Sequence, residues 1–149
     1  MTKVTAGHGE SSWNMRLLGS TDLGGYGDGM HINVRDGVAY VGHMGYVRDG
    51  DRMIPHRVGT SIVDVSDPRN RRLVRQLTTP PRTHSHKVQL VGDVLLIKHE
   101  RHPMEPDATE FSTGLAVYDV SKDPTDPQLI SFMPMTGDGV HVGVHRMTF

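Results

Sequence analysis

The chain has no cysteine. That excludes a disulfide scaffold, a thiolate metal site and a cysteine nucleophile together. Aromatic residues make up only 5% of the 149 residues, and the formal charge is −1, so neither sign of charge dominates. An even balance gives no electrostatic basis for binding nucleic acid or an anionic membrane. No apolar run is long enough to span a bilayer, and residues 1–7 lack the apolar core of an export signal. The expectation is therefore a cytoplasmic protein with no membrane partner. No segment carries sustained helical periodicity, and no Gly-x-Ser-x-Gly elbow is present. Gly25–Gly29 lacks the strand–turn–helix setting of a phosphate loop.

Against these gaps stand ten histidines and seventeen glycines. Many fall into a repeat. Gly59-Thr60-Ser61-Ile62-Val63-Asp64-Val65-Ser66 aligns with Gly114-Leu115-Ala116-Val117-Tyr118-Asp119-Val120-Ser121, a step of 55 residues. The same step separates His31 from His86 and His86 from His141, and Gly27-Asp28-Gly29-Met30-His31 recurs as Gly137-Asp138-Gly139-Val140-His141. Matches in separate segments at one period mark a tandem duplication.

Each unit reads as four strands. Residues 31–34 lead through Asp36-Gly37 into 38–41, and residues 86–91 lead through Gly92-Asp93 into 94–97; such dipeptides between β-rich runs are hairpin signals. Third strands follow at 61–65 and 115–120, ending at Asp67-Pro68 and near Asp126-Pro127. Fourth strands follow at 72–77 and 128–133. Residues 15–19 read as a left-over fourth strand. Four-stranded units at this spacing predict an all-β chain of antiparallel β-propeller blades. The expected division is a left-over outer strand in 15–27, blade one in 28–81, blade two in 82–136 and the start of a third in 137–149. Ile62-Val63-Asp64-Val65-Ser66-Asp67-Pro68 and its copy resemble the LVIVD repeat of bacterial propeller proteins, a likeness that covers nearly the whole chain. A propeller closes with about four to eight blades. The expectation is thus an incomplete ring, completed by a homo-oligomer or belonging to a longer gene.

Histidines at strand starts point to chemistry at the channel of such a ring. His31, His86 and His141 are candidate metal ligands. His99 is expected directly across its hairpin from His86, and His43 within one residue of the position across from His31. Convergent imidazoles suit a divalent ion, with calcium, zinc or manganese as the expected cofactor. Asp28 and Asp138, three residues before repeated histidines, are candidate general bases, and His84, unique to its copy, a candidate acid–base group. The long loops 44–58 and 100–113 carry His56, His102, Glu100 and Glu105. His8, His56 and His102 read as solvated loop residues, and Asp64 and Asp119 as turn caps. The repeated histidines have a structural reading too: hydrogen bonds to a neighbouring blade's backbone, copied with the duplication. Three functions follow: a metal-dependent hydrolase of small esters or lactones (acyl-homoserine lactones included), by fold-level likeness to lactonase propellers; a non-catalytic binding scaffold; and a histidine-ligated metal oxidoreductase.

Overall fold

The computed structural model describes residues 14–135. His8, Asp138 and His141, and the expected third unit, lie outside that range. The described residues are all-β, in antiparallel sheets, with no helix.

Sheet I has the order β1(Gly29–Arg35), β2(Val38–His43), β5(Val58–Asp64), β6(Arg72–Thr78). Between β1 and β2 both turn residues, Asp36 and Gly37, have positive φ (50° and 77°), the conformation that matches strand twist in a two-residue hairpin. Sheet II runs β8(Val88–Val91), β9(Val94–Arg101), β10(Gly114–Asp119), β11(Gln128–Pro134), with the short β7(Thr83–His84) pairing the far end of β9. Both expected hairpins, third strands and fourth strands are present. Asp64 Oδ1 accepts from Ser66 N–H (3.0 Å) and Asp119 Oδ1 from Ser121 N–H (2.7 Å), so both aspartates close turns as expected.

Three features depart from the sequence reading. Residues 15–19 form no strand, and Met15 and Leu17 lie exposed. The 44–58 loop folds into its own hairpin, β3(Tyr46–Asp49) with β4(Arg52–Pro55). The two units are also not in one register throughout. Asp64 and Asp119 are 55 residues apart, but Val38 and Val94, which follow the two turns, are 56 apart and pair with them. The hairpin position of His31 therefore falls on Lys87, and that of Asp28 on His84.

Alternation and register give each sheet two faces. Val38, Tyr40 and Ile62 on one face of sheet I pack against Val88, Leu95, Ile97 and Ala116 of sheet II, forming the main core. The other face of sheet I, with Ala39, Val41 and Val63, is partly covered by Leu23. β2 is consequently buried on both sides along its whole length. Tyr40 ties the two sheets, donating from its hydroxyl to the Pro124 carbonyl at 2.6 Å.

This junction sets the stability. Tyr40→Phe, which leaves the Pro124 carbonyl without its donor, should cost about 1 kcal/mol. Tyr40→Ala should cost about 3–5 kcal/mol. Urea unfolding of the two variants checks the ratio, and equal losses would contradict the packing described.

Candidate metal centre

Two clusters of potential ligands occur among the described residues: Asp28, His43 and His56, and His84, His86 and Glu100. Their geometry differs in kind.

The first is a closed hydrogen-bond network. Asp28 Oδ1 accepts from His43 Nδ1 at 2.5 Å; Oδ2 accepts from His56 Nε2 (3.0 Å) and from the backbone N–H groups of Gly45 (2.7 Å) and Tyr46 (3.1 Å). His43 Nε2 accepts from Ser61 Oγ at 2.7 Å, and His56 Nδ1 accepts from Val58 N–H at 3.1 Å. Each ring thus uses both nitrogens within the protein. Burial alone would raise the Asp28 carboxyl, but the hydrogen bonds from His43 and His56 outweigh it and hold the group well below the usual carboxylate range. Ser61, His43 and Asp28 follow the order of a nucleophile relay. Ser61 and His43 have no exposed surface, however, so substrate cannot reach the hydroxyl, and the chain of bonds anchors the start of β3.

The second cluster sits at the break between β7 and β8. The β8–β9 pairing runs from Val91↔Val94 to Val88↔Ile97, then slips by one residue, so that β7 pairs His84 with Glu100. Residues 85–87 bridge the slip. Gly42 lets them approach: a Cβ there would lie 2.7 Å from the His86 carbonyl carbon. Gly45, at φ 91°, similarly makes room for His84 and His102. His84 Nδ1 donates to the Met44 carbonyl (3.0 Å), which puts the neutral ring's lone pair on Nε2, the atom facing Glu100 Oε2 at 3.5 Å. His86 Nδ1 lies 3.8 Å from the same oxygen. Two ligands bonded to one ion at ~2.1 Å in tetrahedral array stand ~3.4 Å apart. The separations here match that spacing, whereas those around Asp28 are hydrogen-bond lengths. Lys98, wholly buried, pairs with Glu100; burial lowers its ammonium to about 7, and the charge of Lys87 adds to the shift.

The cluster opens on a pocket of about 340 Å³ whose wall includes Met30, Met44, Pro103 and Pro106. A volume of this size suits a small organic molecule.

The remaining expected ligands go elsewhere. His31 is exposed and accepts a hydrogen bond from Val88 N–H through Nδ1 at 3.3 Å, a contact with the neighbouring sheet's backbone. His43 lies across from Gly29 and one residue from His31's partner Gly42, as expected, but belongs to the Asp28 network. His99 pairs with Gly114 and packs on Phe132 with ring centroids 5.4 Å apart, on the face of β9 opposite Glu100, so it does not face His86. His56 and His102, read as solvated, are largely buried; His102 Nε2 donates to the Gly45 carbonyl at 2.7 Å. Glu100 was legible only as a loop acid, and Lys98 not at all, because neither repeats. No family model matches the chain, and no curated protein does.

His99 makes the stability pH-dependent. Burial lowers its pKa to about 4, and its Nδ1 has no hydrogen-bond partner among the described residues. Between about pH 6.5 and 4 the unfolded chain binds a proton there that the folded chain does not, so stability falls with pH at up to ~1.4 kcal/mol per unit. Asp28 extends the fall below about pH 4, where only the unfolded carboxyl protonates. Denaturant titrations between pH 7 and 4 should show a shallower slope in His99→Leu than in the parent; an unchanged slope would contradict this assignment.

Proposed function

We propose that the chain binds one divalent transition-metal ion through His84, His86 and Glu100 and hydrolyses small esters or lactones in the adjoining pocket. The observation that carries this reading is the pair of N···O separations, 3.5 and 3.8 Å, converging on one carboxylate oxygen. Two imidazoles and a carboxylate leave coordination positions for water and substrate, and such an ion polarises a carbonyl and supplies a hydroxide near neutral pH. The donor set favours zinc or manganese over calcium, which prefers oxygen. Met44 holds the His84 ring through its carbonyl, and the buried Lys98 pairs with the same Glu100 oxygen that the two histidines face, so a bound ion takes the place of its ammonium there. Met30, Met44, Pro103 and Pro106 offer an apolar wall for an acyl chain.

The two four-stranded meanders support a reading as propeller blades of the LVIVD type. Their first strands lie side by side, with Asn33 Nδ2 donating to the Val88 carbonyl at 3.0 Å and Asn33 Oδ1 accepting from Leu90 N–H at 3.3 Å. A second function shares the same donor set: two histidines and one carboxylate also hold non-haem iron in oxygenases. Dioxygen uptake by iron-loaded protein distinguishes it from hydrolysis.

Titration calorimetry with zinc and manganese should give one site per chain. His84→Ala, His86→Ala and Glu100→Gln should each weaken binding by more than about 100-fold, beyond what outer-shell changes cause, and abolish lactone hydrolysis in protein that circular dichroism shows to be folded. Affinity should fall as pH drops below about 7, where the protonated Lys98 competes with the ion for Glu100. If the parent protein binds no metal, or EDTA leaves hydrolysis intact, the reading fails; a protein that neither binds metal nor hydrolyses these substrates has a scaffold role instead.

A further inference from the structure

The junction between the two sheets is not symmetric. Call the face of sheet I bearing Val38, Tyr40 and Ile62 its front, and the face bearing Ala39, Val41 and Val63 its back. Asp64 and Asp119 occupy the same place in the repeat, and so do Val38 and Val94, which pair with them. Tyr40 then corresponds to Leu96, and Ile62 to Val117. The front of sheet II is therefore the face of Leu96, Val117 and Met133, and its back is the face of Leu95, Ile97 and Ala116. The core is made by the front of sheet I seated on the back of sheet II. This is a head-to-tail contact, and among the described residues it leaves one back and one front without a sheet against them.

Both open faces carry exposed apolar side chains. On the back of sheet I, Ile32 and Val34 of β1 are 57% and 59% exposed. They lie beside Val41 and Ala39 on β2. On the front of sheet II, Val91 and Met133 are 42% and 48% exposed. The core seats a front of this repeat on a back, and the two faces left over are again one front and one back, each with exposed apolar side chains.

We propose that a second copy of this chain covers these faces, the front of its sheet II docking on the back of sheet I in the first copy, as a repetition of the internal junction. Such a contact is heterologous, and closes into a ring or runs on as a filament according to its rotation. The inference rests on the packing of the sheets and is independent of the metal reading.

Light scattering with size-exclusion chromatography tests it on the full chain. The parent should run as an oligomer. Ile32→Asp with Val34→Asp disables the back, and Val91→Asp with Met133→Asp disables the front; all four side chains are exposed, and circular dichroism checks that each variant stays folded. Each double variant alone should be a monomer. Mixed, they should form a 1:1 dimer, because one intact front meets one intact back. A monomeric parent, a double variant that keeps the parent's mass, or a mixture that stays monomeric would each overturn the proposal.

Discussion

The approach of residues 84–86 to the end of β2 is the constraint on which the rest of the site depends. It brings two backbones to a distance that a side chain at Gly42 would forbid, and it needs the open conformation of Gly45 at the next turn. Three hydrogen-bonded links hold it: the isolated bridge between His43 and Ser85, His84 Nδ1 to the Met44 carbonyl, and His102 Nε2 to the Gly45 carbonyl. The same end of β2 is pinned from the other side by Asp28, which binds His43 and the Gly45 and Tyr46 amides. Remove the close approach and the sheets could still stack through Tyr40 and Ile62, but His84 and His86 would no longer converge on Glu100.

Two clusters of similar composition thus do different work. Around Asp28 every nitrogen and both carboxylate oxygens are engaged at hydrogen-bond distance, and the carboxyl is held ionised by two histidines. That is a fastening, and a metal would have to dismantle it. Around Glu100 the two histidines stand further off, at 3.5 and 3.8 Å. The shared oxygen is in close contact with the Lys98 ammonium, which an ion would have to displace. The histidines come from a strand break, and an apolar-walled pocket adjoins. Position 28 of the first unit corresponds in the hairpin register to position 84 of the second, so a single duplicated place carries the fastening carboxylate in one copy and a candidate ligand in the other.

Much of the fold was legible in the sequence because it is periodic. The Asp36-Gly37 and Gly92-Asp93 turns, the Ile62–Val65 and Val117–Val120 strands and the Asp64 and Asp119 caps all follow from local chemistry. What escaped was irregularity within the strands. One residue of difference between the hairpins moves His86 out of His31's place, and a register shift found at the same place in both hairpins separates His86 from His99. His99 turned away for the same reason: adjacent residues on a strand face opposite sides, and Glu100, not His99, holds the side of His84 and His86. The burial of His56 and His102 depends on contacts with Asp28 and Gly45, far along the chain, which no local pattern announces.

Anomalous diffraction from crystals grown with zinc tests the central claim most directly. The account predicts a single strong peak bounded by His84 Nε2, His86 and Glu100, at about 2.0–2.2 Å from its ligands, with none between Asp28, His43 and His56. A peak in the Asp28 network, or no peak at Glu100, would contradict it.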